Sequence, residues 1–129
     1  MIRTALSLLL MALAGVAAAK SQVQTANGDG AQLRMLDLVT GRSSVLTFAI
    51  GETRVEERLE ITLTECRYPA ENPAGDAFAQ MTIRDVRQET PNFEGWMIAS
   101  SPALYALEHP RYDVWVLSCT ISEPVTEDG

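Results

Sequence analysis

The chain has 129 residues, with 10 basic against 17 acidic side chains and a formal net charge of −7, a length that suits one domain with one core rather than two. So acidic a composition opposes binding to phosphate backbones or anionic headgroups, both of which need a basic surface. With one histidine and two cysteines, the chain also lacks the four nitrogen or sulfur ligands of a closed zinc site.

In chain order the first element is Met1-Ile2-Arg3, then an apolar run from Ala5 to Val16 that ends in Ala17-Ala18-Ala19 before the polar Lys20-Ser21-Gln22. A positive start, a short apolar stretch and an A-x-A site define a signal peptide over residues 1–19. Ala5 to Ala19 is too short to cross a bilayer, which takes about 20 residues. Cleavage after Ala19 removes Arg3 and leaves 110 residues carrying a charge near −8. The expected compartment is an oxidising one outside the cytoplasm.

Residues 20–31 (KSQVQTANGDGA) hold one large apolar side chain and end in Asn-Gly-Asp-Gly, a composition expected to remain a flexible leader. The acidic tail 123–129 is expected to behave the same way, leaving a β domain over 32–122. Six strands are predicted there, Leu33 to Thr40, Ser44 to Ile50, Arg58 to Arg67, Ala77 to Val86, Gly95 to Ala99 and Tyr112 to Ile121. Gly41-Arg42 and Gly51-Glu52 mark tight turns and Pro69 to Gly75 a longer loop. One short helix is predicted from an N-cap at Ser101 with Pro102 in first position, running to Glu108 and stopped by His109-Pro110. The expected fold is all-β, a small barrel or sandwich with one short helix.

In an oxidising compartment Cys66 and Cys119 are expected to form a disulfide. Leu59, Ile61 and Leu63 share one face of their strand, and by the same alternation Cys66 falls on the polar face with Glu60, Thr62 and Thr64. Either the strand bulges near Glu65 or the disulfide sits at the rim of the core. In the last strand, Tyr112, Val114 and Val116 form one apolar face and Trp115, Leu117, Cys119 and Ile121 the other, so it is expected to be covered on both sides.

Catalytic, metal-binding and cofactor residues are not predicted. Ser100, Ser101, His109 and Asp113 hold the raw material of a triad without a nucleophile elbow. Glu56-Glu57 and Glu71 with Asp76 lie beside turns, where carboxylates are solvated. Asn27-Gly28-Asp29-Gly30 lacks the spaced carboxylates of a calcium loop. Five of the eight aromatic residues fall between Phe93 and Trp115. Most such residues build cores, and the functional alternative is a partner-docking patch of Trp96, Tyr105, His109, Tyr112 and Trp115.

Several blocks resemble the DUF2155 family of exported alphaproteobacterial proteins. They are Leu36-Asp37-Leu38-Val39-Thr40-Gly41-Arg42, Ile50-Gly51-Glu52, Leu59-Glu60-Ile61 with Cys66-Arg67-Tyr68-Pro69, Phe93-Glu94-Gly95-Trp96-Met97, Ser100-Ser101-Pro102-Ala103-Leu104, and His109-Pro110-Arg111-Tyr112-Asp113-Val114-Trp115 through Cys119. The resemblance spans residues 34–119. It implies a periplasmic protein and supplies no activity. It also implies a genomic neighbourhood shared with an accessory subunit of respiratory complex I. The expected function is therefore a non-enzymatic accessory protein docked on the periplasmic face of an inner-membrane complex. The alternative is a periplasmic binder of a small molecule or cell-envelope component, which predicts a concave pocket at Trp96, Tyr105 or Trp115. N-terminal sequencing of the exported protein should return Lys20 as the first residue.

Overall fold

A computed structural model describes residues 24–122. The predicted signal peptide, residues 20–23 of the predicted leader and residues 123–129 lie outside the described residues. Eight strands follow in order: β1 (Thr25–Asn27), β2 (Gly30–Asp37), β3 (Ser43–Ala49), β4 (Thr53–Glu56), β5 (Leu59–Pro69), β6 (Phe78–Asp85), β7 (Phe93–Ile98) and β8 (Tyr112–Thr120). They form two antiparallel sheets. One has the order β1-β5-β6-β7 with β4 also on β5, and the other the order β3-β2-β8. The sheets do not close into a barrel.

Alternation sets which faces meet. Leu59, Ile61 and Leu63 of β5, with Ala79, Met81 and Ile83 of β6, point inward from the first sheet, and Leu33 and Met35 of β2 with Tyr112, Val114 and Val116 of β8 from the second. All of these side chains are buried in one shared core.

Both cysteines reach that core through bulges. Leu63 pairs with Met81 but Glu65 pairs with Gln80, so Thr64 is the extra residue on β5. The extra residue reverses the alternation beyond it, and Cys66, opposite Ala79, becomes fully buried. On β8 the same device occurs, because Leu33 pairs with Val116 and Gln32 with Ser118, which leaves Leu117 extra. Cys119 then lies opposite Ala31, itself a core residue. Cys66 and Cys119 are joined across the two sheets, with Cα atoms 5.7 Å apart. Of the two arrangements open from sequence, the bulge is the one adopted.

The leader expectation is corrected from residue 25 onward. Thr25–Asn27 pairs with Arg67–Pro69 of β5, the Gly28 N–H donates to the Cys66 carbonyl at 2.7 Å, and the Asp29 N–H to the Thr120 carbonyl at 2.8 Å. The chain here steps from one sheet to the other beside the disulfide. No side chain fits at two points: a Cβ on Gly28 would lie 2.9 Å from the Cys119 Cβ, and one on Gly30 2.1 Å from the Phe48 carbonyl oxygen. Asn-Gly-Asp-Gly is thus a close-packed crossing rather than a linker. β4 was also not predicted, since Thr53-Arg54-Val55-Glu56 has no buried residue to mark it.

The predicted helix does not form. Residues 99–111 make two tight turns, closed by the Ser101 N–H on the Ile98 carbonyl and the Leu104 N–H on the Ser101 carbonyl, each at 3.1 Å. So short a helix is marginal without packing, and an extended path lets Leu107 enter the core while Leu104 and Tyr105 remain exposed. Cover for Trp115 comes from this loop.

Replacing both cysteines by alanine opens a link of 53 positions, and denaturant unfolding of the oxidised and substituted proteins should differ by about 3–4 kcal/mol.

Candidate functional site

Ala79, Met81 and Ile83 place the inward face of β6, and Asp85 falls on that same face. It is the one buried charged residue among those described. Asp85 Oδ2 accepts a hydrogen bond from His109 at 2.8 Å, and Oδ1 accepts the Arg87 N–H at 2.9 Å. The guanidinium groups of Arg58 and Arg87 stand 3.6 and 3.5 Å from its oxygens. The bonds from His109 and the Arg87 N–H, followed by the charges of Arg87 and Arg58, outweigh burial and hold the Asp85 carboxyl far below the usual carboxylate range.

His109 Nδ1 accepts the N–H groups of Arg111 and Tyr112 at 3.0 and 3.2 Å. With Nδ1 an acceptor, the neutral ring carries its proton on Nε2 and donates it to Asp85. The ring is 5.3 Å from that of Tyr112. Both nitrogens are thus occupied by the backbone and the carboxylate, with the side chain 1% exposed. Ser100 Oγ is bonded instead to Asp76 Oδ2, at 2.7 Å. Burial opposes the ionisation of Asp76, but the Ser100 hydroxyl and the N–H groups of Ala77 and Ser100 outweigh it and lower its carboxyl. Ser100 and His109 therefore serve different carboxylates.

A second ionic anchor joins the β2–β3 hairpin to the start of β8. Asp37 Oδ1 accepts the Val39 and Thr40 N–H groups at 2.9 and 3.2 Å, and Oδ2 accepts Arg111 Nη2 at 3.2 Å. Gly41, with φ of 76°, completes the hairpin. Burial of Asp37 is more than offset by these donors, and its carboxyl is lowered.

The five partner-binding candidates do not form one patch. Tyr112 is a core residue and His109 is buried, because the Asp85 anchor draws the His109–Tyr112 corner inward. These two are corrected to structural roles. Trp96 pairs with Gln80 and points outward from the five-stranded sheet, since its neighbour Met97 takes the core position. Trp115, opposite Arg34, points outward from the three-stranded sheet. Tyr105 stands exposed in the intervening loop.

Around Trp96 the outer sheet face forms an open groove of about 500 Å³ lined by Thr25, Arg67, Pro69, Asp76, Phe78 and Trp96. The Arg67 guanidinium lies 5.9 Å from the Trp96 ring centre and its Nε 2.6 Å from Glu65 Oε1. A smaller depression of about 320 Å³ at Trp115 is lined by Pro102, Ala103, Ala106 and Asp113, and burial there pushes the Asp113 carboxyl up. Among the described residues no group of three His, Cys, Asp or Glu side chains could hold a metal ion, and no helix is long and apolar enough to cross a membrane.

Sequence reasoning passed over Asp85, Asp37 and Phe78. Asp85 carried a readable signal, a charge at the inward parity of an otherwise apolar strand. Phe78 carried none, because the groove depends on Pro69 and Trp96 arriving from different strands.

The fold and its surfaces define an all-β, two-sheet protein pinned by one disulfide. The chain belongs to the DUF2155 family, described as an uncharacterized protein conserved in bacteria, whose profile matches residues 31–119. It is 30% identical over 87 residues to an uncharacterized protein of Rickettsia prowazekii (strain Madrid E), a match covering 65% of this chain and 56% of that relative. The chain thus spans little more than half the relative's length. No solved structure matches it.

His109→Ala leaves two N–H groups and a carboxylate without their partner and should cost about 2–3 kcal/mol in urea unfolding. Because the folded Asp85 value is depressed, its stabilisation is full above the unfolded carboxylate value of about 4 and is lost as pH falls below it. Unfolding of Asp85→Asn across the acid range should show a flatter pH dependence than the parent protein.

Proposed function

We propose that this protein is a non-enzymatic periplasmic accessory factor that docks on an inner-membrane protein complex through the outer face of its five-stranded sheet, with Trp96 at the centre. The observation that carries this reading is the Trp96 groove. Phe78, Pro69 and Trp96 supply apolar area that the fold itself does not cover, and Arg67 and Asp76 supply polar groups at its margin. Aromatic and arginine side chains grouped in this way form the energetic centres of protein interfaces. Two of the blocks shared with the family, Cys66-Arg67-Tyr68-Pro69 and Phe93-Glu94-Gly95-Trp96-Met97, converge on the groove. The commitment of both His109 nitrogens and of Ser100 to structural bonds favours a binding role over catalysis. The resemblance to exported alphaproteobacterial proteins makes respiratory complex I the first complex to test.

The groove also supports the second reading, a binder of a small molecule or cell-envelope component, since its volume and apolar lining suit a ring-shaped ligand. Affinity purification of the tagged protein from gently solubilised membranes separates the two. Recovery of complex I subunits in fixed proportion, reduced about thirtyfold by Trp96→Ala, supports docking. Recovery of the protein alone overturns it in favour of the ligand reading.

A further inference from the structure

β3 is a terminal strand of its sheet and pairs with β2 alone among the described residues. Its outward backbone groups are identified by the bonds at its far end. The Ala49 N–H donates to Glu52 Oε1 at 3.2 Å, the Ala49 carbonyl accepts the Glu52 N–H at 3.1 Å, and the Thr47 carbonyl accepts Arg54 Nη1 at 3.3 Å. Residues 47 and 49 therefore turn their backbone groups away from β2, and by the two-residue period of an antiparallel ladder so do Ser43 and Val45. The N–H and carbonyl of Val45, those of Ser43 and the Thr47 N–H have no backbone partner in the described structure.

Exposed edges in soluble proteins are ordinarily blunted by charge, proline or a bulge. Ser43-Ser44-Val45-Leu46-Thr47-Phe48-Ala49 has no charged residue or proline, it pairs with β2 without a register shift, and Val45 is 48% exposed. β7, the last strand of the other sheet, differs in carrying Glu94 and the positive-φ Gly95.

Charge supplies an independent observation. Of the eight arginines among the described residues, six lie within 4.0 Å of a carboxylate oxygen: Arg54, Arg58, Arg67, Arg84, Arg87 and Arg111. The two without such a pair are Arg34 and Arg42. Arg34 sits opposite Val45 on the outer sheet face, with Nη1 3.4 Å from Ser43 Oγ. Arg42 directly precedes β3, in a depression shared with Asp37 and Glu57, where Asp37 already holds Arg111. In a chain of net charge −7, the unpaired cations flank the unpaired edge.

We infer that β3 is a strand-addition site for an extended segment of another protein that carries carboxylates, its backbone bonded to Ser43, Val45 and Thr47 and its acidic side chains facing Arg34 and Arg42. Main-chain bonds supply the attachment and the arginines the selection for acidic sequence. The inference rests on the reading of this protein as an interaction module but uses a different surface from the Trp96 groove.

The probe is a capped octapeptide, Thr-Val-Glu-Val-Thr-Glu-Val-Thr, whose two glutamates fall on opposite faces of a strand as Arg34 and Arg42 do, compared with its counterpart bearing lysine for glutamate, titrated into the oxidised protein and followed by amide NMR shifts and hydrogen exchange. The acidic peptide should shift and protect the Val45 and Thr47 amides and bind at least about tenfold more tightly than the basic one. Val45→Pro removes an outward donor while leaving the β2 ladder intact, and should abolish binding with the other amide shifts of the folded protein retained. Arg34→Glu with Arg42→Glu should remove the acidic preference. Trp96→Ala should leave peptide binding unchanged, so failure of the groove reading and failure of this one are distinguishable. Equal binding of the two peptides, no change at the β3 amides, or a Val45→Pro-sensitive dimer of this chain by light scattering would overturn the inference.

Discussion

The disulfide between Cys66 and Cys119 is the constraint on which the rest of the structure depends, and it depends in turn on two extra residues. In a strict alternation Cys66 stands on the wet face of β5 and Cys119 on the face of β8 opposite Val116. Thr64 and Leu117, each unpaired in its ladder, reverse the alternation once on each strand. Both sulfurs then enter the same interior from different sheets. The crossing at Asn27–Gly30 packs against this corner so closely that Gly28 and Gly30 have no room for a side chain. One covalent link, two bulges and a glycine-rich crossing therefore form a single joint between the sheets.

At another point on the core boundary, Asp85 and His109 do by hydrogen bonding part of what the disulfide does covalently. A carboxylate buried on β6 holds the imidazole, and the imidazole holds two backbone N–H groups at the entry to β8. The loop after β7 is drawn taut between Leu107 and this anchor, which explains why Ser101 to Glu108 does not coil into a helix. Arg111 extends the same set of contacts to the β2–β3 hairpin through Asp37. The outcome is a frame in which His109 and Tyr112, the first residue of β8, are structural.

In the binding role proposed above, function lies at the surfaces of this frame. The Trp96 groove offers apolar area and an arginine, whereas the β3 edge offers backbone donors and acceptors flanked by two unpaired cations. These are different modes of recognition. A groove of this kind selects by shape and desolvation, while an edge selects by strand geometry and charge. Taken together, the two proposals make this protein a bridge between two segments of a larger assembly.

The alternating segments around Leu33, Leu46, Ile61, Ile83, Met97 and Val114 determined the six longer strands from sequence alone, because period-two burial is a local property. The pairing of the two cysteines was legible too, since a disulfide is the expectation once the first residues are read as an export signal. Tertiary structure decided the rest. β1 and β4 are too short and too polar to announce themselves and exist because β5 offers them an edge. The Ser101–Glu108 segment carried a sound local helix signal that was overridden by the burial of Leu107 and His109. The five aromatic-region candidates were adjacent in sequence but were separated by the fold onto two outer sheet faces, a loop and the core. Alternation fixes which side of its own strand a residue faces, but only the bulges and the packing of one sheet on the other decide whether that side is interior or solvent.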